Sequence, residues 1–166
     1  MLTATALALV LSLDCQAVAQ APPVPVPAIY ISKEEHERVL AEQIAKNVVD
    51  QPLKSGQVLG GLTSVATLHR VKPEVTSLIH DTVTETYYIL SGSGTLVTGG
   101  SLVGAKPIDL TRLNVGMGQN GTRQGGVSQR VKPGDVIVIP AGTPHGFSEL
   151  DGPISYLVFR FGPTIK

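Results

Sequence analysis

The stretch Gly134-Asp-Val-Ile-Val-Ile-Pro140-Ala-Gly142-Thr-Pro-His145 is the most informative part of the chain. Residues 135–139 are almost all β-branched, which predicts a buried strand. Pro140 and Gly142 follow at once, and such residues end a strand and turn the chain sharply. His145 then opens the return strand. An imidazole beside a strand corner, in otherwise apolar surroundings, is a candidate metal ligand.

A second candidate pair lies upstream, where His80 and Glu85 are separated by Asp-Thr-Val-Thr. Four residues are a usual length for a hairpin connection. Residues that flank such a turn face each other across an antiparallel ladder, with Cβ atoms about 5 Å apart. An imidazole and a carboxylate at that separation can share a metal ion. For any single histidine, the competing interpretation is a hydrogen-bonded core or surface residue.

Short β-rich runs alternate with turn residues from Gly60 onward. Sequences such as Ser91-Gly92 and Asp151-Gly152-Pro153 separate the runs. Regularly spaced short strands with turn signals between them predict an antiparallel sandwich or barrel. The predicted strands are 62–71, 75–80, 85–90, 94–98, 135–139, 145–149 and 154–161.

Residues 99–130 interrupt this pattern. The segment is rich in Gly, Asn, Gln and Ser and contains few apolar residues. Loops of this length in a compact domain are usually functional or mobile. We therefore expect the segment to be a loop at the mouth of the barrel and not part of the core.

Both corner regions resemble sequence motifs of the cupin superfamily. His80-x4-Glu85-x6-Gly92 matches the end of the first cupin motif, and Gly134-x5-Pro140-x-Gly142-x2-His145 matches the second. The resemblance spans roughly residues 72–149. It implies an all-β, cupin-type double-stranded β-helix, a jelly-roll barrel with a divalent metal inside. The residues on the matching ligand positions are His80, Glu85 and His145.

The sequence also departs from the cupin pattern. Leu78 stands where the first motif has its first histidine, and Glu149 stands where the second motif ends in asparagine. The remaining two histidines and one carboxylate suit Fe, Mn, Zn or Ni without selecting one. An empty site is one alternative. His69 is a candidate replacement ligand, although a surface or hydrogen-bonded position is the favoured interpretation for it.

Two further side chains are candidate catalytic residues, because residues two apart share one face of a strand. Tyr87 and Ile89 share a face with Glu85, and Phe147 and Glu149 share one with His145. Tyr87 is a candidate hydrogen-bond donor to a ligand, although simple packing is the commoner role of an aromatic residue in a strand. Glu149 is a candidate base, although a solvated position at the rim is the slightly favoured interpretation.

Two more side chains near these strands have roles that the sequence leaves less defined. Tyr88 belongs to the face opposite Glu85, where packing between sheets is expected. Arg160 is a possible partner for Glu149 or for an acidic ligand.

The N-terminal region predicts export. The apolar run 4–13 is too short to cross a bilayer, and small-x-small patterns follow it, so residues 1–21 are interpreted as a signal peptide cleaved after Ala19 or Ala21. An N-terminal core helix is the alternative. Residues 22–31 form a proline-rich linker. Residues 32–166 form the cupin domain, beginning with a helix from the capping box at Ser32 to about Asn47. The predicted location is periplasmic or secreted.

Composition narrows the function classes. The 166 residues carry 13 Lys+Arg and 13 Asp+Glu, a balance that disfavours nucleic acid as a partner. Cleavage would remove Cys15, leaving no thiol nucleophile, and the mature form has no predicted membrane span. Together with the predicted export, the cupin resemblance implies as the favoured function an exported metal-dependent oxygenase, isomerase or lyase acting on a small organic molecule. The alternatives are a non-catalytic module that binds a small ligand or metal, and a jelly roll without a binding function in which the histidines are vestigial. The resemblance is compatible with a homodimer.

Overall fold

A computed structural model describes residues 27–58 and 60–163. This part of the chain forms one helix and eleven strands, which confirms the predicted all-β architecture with a short N-terminal helix. A single turn of 3-10 helix lies at Thr111–Leu113. The elements are α1 (Lys33–Lys46), β1 (Asp50–Val58), β2 (Gly61–Arg70), β3 (Ser77–His80), β4 (Thr84–Ser91), β5 (Gly94–Thr98), β6 (Ser101–Asp109), β7 (Met117–Gln124), β8 (Val127–Val131), β9 (Val136–Ile139), β10 (His145–Leu150) and β11 (Ile154–Gly162).

The strands form two antiparallel sheets that enclose the core. The first sheet has the order β1-β2-β11-β4-β9, and the second has the order β6-β7-β3-β10-β5-β8. Apolar side chains from both sheets meet between them, each contributing about 1.5–3 kcal/mol when fully buried. The buried set includes Leu68, Ile89, Leu96, Phe147 and Tyr156.

Helix α1 is capped as the sequence predicts. The Ser32 side chain accepts a hydrogen bond from the Glu35 amide, and Asn47 ends the helix in the left-handed conformation. The expected apolar face is only partly buried, because Ile44 is 48% exposed. A polar residue anchors the helix instead: the Gln43 amide group donates to the Val49 and Thr67 carbonyl oxygens.

The predicted hairpin between His80 and Glu85 is wrong. His80 ends β3, which lies in the second sheet between β7 and β10, whereas Glu85 lies on β4 in the first sheet. The chain between these strands therefore passes from one sheet to the other. The two side chains approach each other across the barrel interior and not along a ladder.

The prediction that residues 99–130 form one loop is also wrong. The segment contains β6, β7 and most of β8, and β7 pairs with β3 beside the site. β6 and β8 lie at the edges of their sheet and are largely exposed, so their sequences lack the apolar alternation of a half-buried strand. The turn around the 3-10 helix is the part that does lie at the barrel mouth. β1, at the edge of the other sheet, was not predicted either.

The predicted signal peptide and residues 22–26 of the linker lie outside the described residues. Residues 27–31 belong to no helix or strand and contact the domain: the Tyr30 carbonyl accepts a hydrogen bond from Lys54, and Ile29 packs against Gly56. In the described ranges, no helix combines the length and hydrophobicity needed to cross a membrane.

Candidate metal centre

Three buried side chains converge inside the barrel. His80 comes from the end of β3, Glu85 from the start of β4 and His145 from the first residue of β10. Glu85 Oε2 lies 3.3 Å from His80 Nε2 and 3.4 Å from His145 Nε2. The potential ligand atoms all lie within 4.8 Å of one another. The structure thus brings together the three residues on the predicted ligand positions.

The corner before β10 positions both histidines. Gly142 has φ 76°, a conformation that favours glycine, and its amide donates a 2.8 Å hydrogen bond to the His80 carbonyl. Three residues later the chain enters β10 at His145. The proline and glycine spacing of the sequence therefore fixes the end of β3 relative to the start of β10.

His145 presents a lone pair to the centre. Its Nδ1 lies 2.9 Å from the Thr143 carbonyl oxygen. A carbonyl can only accept, so Nδ1 carries the proton of the neutral ring and Nε2 is left with its lone pair. That lone pair faces Glu85 Oε2, and two acceptors in this position need a proton or a cation between them. Metal-binding histidines are usually held in orientation by a hydrogen bond of this type, made by the ring nitrogen that does not bind the metal.

The donor set fits a divalent ion. Nitrogen and oxygen ligands bind transition metals at about 2.1 Å, so neighbouring ligand atoms around one ion lie roughly 3–3.5 Å apart. The two measured histidine–Glu85 separations fall in that range. No group among the described residues hydrogen-bonds the buried His80 Nδ1, so this ring is held less completely than His145.

Electrostatics favour an ionised carboxylate at the centre. Burial raises the pKa of Glu85, but hydrogen bonds from His145 and His80 and the charge of Arg160 outweigh it and hold the pKa well below its usual range. Burial lowers the pKa of His145, but Glu85 and the Thr143 carbonyl raise it more, so the pKa lies above its ordinary value. Without a cation, this shift favours a proton on Nε2 that is shared with Glu85, and a bound cation would take its place. An ionised Glu85 is the form that can bind a cation.

Arg160 and Asp50 complete the surroundings of Glu85. Arg160 Nε donates a 2.8 Å hydrogen bond to Glu85 Oε1, and its Nη2 donates to Asp50 Oδ2 at 2.5 Å. Sequence reasoning left the partner of Arg160 open and missed Asp50. A lone arginine inside the apolar run 154–161 is a signal of a buried ion pair, but it does not identify the partner.

Tyr87 lies where the strand periodicity predicts, buried and beside the centre. Its hydroxyl donates a 2.9 Å hydrogen bond to Glu85 Oε2. Burial, together with the negative charge of Glu85, raises the pKa of Tyr87 well above its ordinary value. Tyr87 therefore remains a hydrogen-bond donor at neutral pH.

The structure does not bring Glu149 to the centre. The pairing of β10 with β5 shifts register between Phe147 and Glu149, so the alternation that places Phe147 in the core does not carry on to Glu149. Glu149 is exposed and accepts a hydrogen bond from Thr95. Tyr88 likewise points outward and is 40% exposed, so the expected packing between sheets is wrong.

His69 also lies away from the centre. Its Nδ1 is 2.8 Å from Ser155 Oγ, across the β2–β11 ladder. Leu78 pairs with His145 in register and lines the same cavity as the three candidate ligands. The position of the missing motif histidine is therefore occupied by an apolar side chain.

Comparison with solved structures identifies the fold. BH2720 from Bacillus halodurans is 17% identical, with 84% of this chain covering 86% of that one at a TM-score of 0.52. A cupin superfamily protein from Desulfitobacterium hafniense is 15% identical, covering 67% and 73% of the two chains at a TM-score of 0.39. The likeness to BH2720 and the two antiparallel sheets concern the fold alone, an all-β barrel of the cupin type.

A third solved structure that resembles the chain is the DMSP lyase DddQ from Ruegeria pomeroyi. It is 20% identical with a TM-score of 0.40, and 60% of this chain covers 38% of the lyase. The chain thus spans well under half the length of that enzyme. No protein-family model matches the sequence, and no curated protein matches it.

The centre of this cupin-type barrel opens into a cavity of about 310 Å³. That volume lies at the lower end of the range of small-molecule sites. His80, Glu85 and His145 all line it, so a molecule in the cavity meets the candidate ligands directly. Apolar side chains, among them Leu68 and Val115, form much of the remaining wall.

Proposed function

We propose that this chain is a metal-dependent enzyme of the cupin type that acts on a small organic molecule. His80, Glu85 and His145 would hold a divalent ion, one of Fe, Mn, Zn or Ni. The observation that carries the proposal is the orientation of His145: the Thr143 carbonyl holds its Nδ1, so Nε2 lies 3.4 Å from Glu85 Oε2, where a proton or a cation must lie between them. A divalent ion bound there supplies Lewis-acid chemistry toward a substrate oxygen.

The protein's own groups prepare the centre. Arg160 holds one oxygen of Glu85 by a hydrogen bond, which leaves the other oxygen facing the two histidines. Tyr87 donates to that second oxygen and restrains its rotation. Apolar side chains such as Leu68 and Val115 line part of the cavity beside the centre, and apolar surroundings strengthen electrostatic interactions. This arrangement is compatible with an oxygenase, an isomerase or a lyase.

Metal analysis of the purified protein tests the centre. We expect about one equivalent of a transition metal in the wild type after incubation with the ion and desalting. His80→Ala and His145→Ala should each lose it. His69→Gln is the matched control, because it removes a histidine outside the cluster and should retain the metal. Retention by both alanine variants would refute the proposed centre.

Catalysis is separated from simple binding by a second measurement. Turnover of a screened small molecule should vanish on chelation and return with one particular metal. A protein that binds its metal and a ligand but turns over no molecule in the screen would favour the non-catalytic binding module.

Export is the remaining part of the proposal. It is supported by the apolar run 4–13 and by the small residues around Ala19 and Ala21. Mass spectrometry of the full-length chain expressed with its N-terminus intact should show a mature form cleaved after one of these alanines. An uncleaved chain in the cell interior would contradict export without affecting the metal centre.

A further inference from the structure

The charged side chains of the cavity are unequally paired. Three arginines and three carboxylates line it, so their formal charges balance: Arg70, Arg112, Arg160, Asp50, Glu74 and Glu85. Arg70 pairs with Glu74 at 3.0 Å, and Arg160 lies between Asp50 and Glu85. Among the described residues, Arg112 has neither an ion-pair nor a hydrogen-bond partner for its guanidinium. The Arg112 guanidinium is therefore the one arginine side chain of this cavity without a partner among the described residues.

Arg112 belongs to a well-defined turn. It lies in the 3-10 helix between β6 and β7, where the Asp109 carboxylate accepts a hydrogen bond from the Thr111 amide. The Leu110 amide donates to the Gly116 carbonyl and closes the turn. The Asp109 carboxylate thus stabilises the backbone of the turn by a hydrogen bond. Arg112 itself is exposed and lines the cavity, which places it at the entrance.

The walls near this turn are apolar. Leu110, Leu113 and Val115 line the cavity on either side of Arg112, and Leu68 and Leu78 line it from β2 and β3. A ligand in the cavity therefore meets the candidate metal ligands, hydrocarbon, the ion pairs Arg70–Glu74 and Arg160–Asp50, and one guanidinium without a partner among the described residues. Guanidinium binds carboxylate well because its planar donors match the two carboxylate oxygens.

We propose that the cavity takes a small carboxylate with an apolar body and that Arg112 binds the carboxylate. This inference rests on the proposed function, since the same cavity holds the metal centre. A bound divalent ion would add two positive charges to a set that is otherwise balanced. An anionic ligand offsets part of that excess, whereas a neutral ligand does not.

Paired probes of equal size test the proposal. Hexanoate and hexanamide differ in charge but share shape and chain length. Their affinities for zinc-treated and for metal-free full-length protein can be measured by NMR titration, with metal content determined on the same samples. We expect the zinc-treated wild type to bind hexanoate at least about tenfold more tightly than hexanamide, because a hydrogen bond to a charged group is the stronger kind.

Arg112→Gln should reduce the preference for hexanoate over hexanamide by about tenfold. The preference of Arg112→Lys should lie between those of the wild type and Arg112→Gln, because lysine keeps the charge without the planar donors. Lys106→Gln is the matched control, because it removes one exposed positive charge outside the cavity and should keep the wild-type preference. Equal affinity for the two probes in the wild type, or an unchanged preference in Arg112→Gln, would overturn the proposal. If the wild type binds no metal, the proposed centre fails, while the comparison of metal-free wild type with Arg112→Gln still decides the role of Arg112.

Discussion

Arg160 and Glu85 are directly opposite each other where β11 pairs with β4, and a 2.8 Å hydrogen bond joins their side chains inside the barrel. The register of the first sheet thus determines which cation accompanies the carboxylate of the candidate centre. Asp50 on β1 supplies a second negative partner for the same guanidinium. One buried arginine therefore connects three strands of this sheet.

Arg160→Met should destabilise the metal-free protein strongly. The substitution leaves Glu85 and Asp50 in a buried environment without their cation, and removal of one partner from a buried ion pair costs about 3–5 kcal/mol. Denaturant unfolding measures the loss. Arg130→Met is the control, because Arg130 pairs with Asp151 on the surface, where an ion pair contributes about 1 kcal/mol or less. Similar small losses in both variants would show that the Arg160 network does not stabilise the fold.

Tyr87→Phe should weaken metal binding while preserving the barrel. The phenyl ring can keep its packing on Tyr156, at a centroid distance of 4.7 Å, but Glu85 loses the hydroxyl that holds its second oxygen. Loss of such an outer partner lowers metal affinity by about tenfold or more. Competition with a chromophoric chelator measures the affinity. The neighbouring Tyr88→Phe removes a hydroxyl from the outer face, and equal affinities of the two variants would argue against the role assigned to Tyr87.

The site corners were predictable because they depend on local chemistry. Pro140 and Gly142 restrict the backbone directly, so their spacing from His145 carries over into the structure. His80 and Glu85 were correctly placed near each other, but for the wrong reason: the short connection joins two sheets and does not form a hairpin. A four-residue spacing is compatible with both geometries, and only the pairing of β3 with β7 and β10 distinguishes them.

Other features depend on contacts that are distant in sequence. Asp50 lies 110 positions before Arg160, so no local pattern links them. The strands β6 and β8 are exposed at sheet edges and therefore lack the apolar period of two on which strand prediction depends. Simple alternation would place Glu149 on the same face as His145 and Phe147, but the register shift before Glu149 breaks that alternation and the residue is exposed. In each case tertiary pairing overrides the local signal.

Gly92→Ala should destabilise the fold more than Gly142→Ala. Both glycines have φ 76°, and an L-residue in that conformation costs about 1–2 kcal/mol. A Cβ on Gly142 would meet open space, whereas one on Gly92 would lie 2.2 Å from the Pro153 carbonyl oxygen. Gly92→Ala therefore adds a backbone clash to the conformational cost. Chemical denaturation of the two variants gives the comparison, and equal losses would contradict it.

His69 should make the stability of the protein sensitive to acid. Burial lowers its pKa below the ordinary value of 6.5, so the folded protein takes up this proton less readily than the unfolded chain. A lowered histidine pKa contributes stability that is complete above the unfolded pKa and is lost as the pH falls through the folded pKa. Partial exposure of the ring keeps this contribution small.

His69→Gln isolates that contribution. The variant lacks the titrating ring opposite Ser155, and the remaining ionisable groups are unchanged. Free energies of unfolding measured at about pH 8 and about pH 5 bracket the titration of an ordinary histidine. The wild type should lose more stability between these conditions than His69→Gln does. An equal or greater loss in the variant would mean that His69 is not protonated more readily on unfolding. That result would contradict the lowered pKa that burial gives His69 in the folded protein.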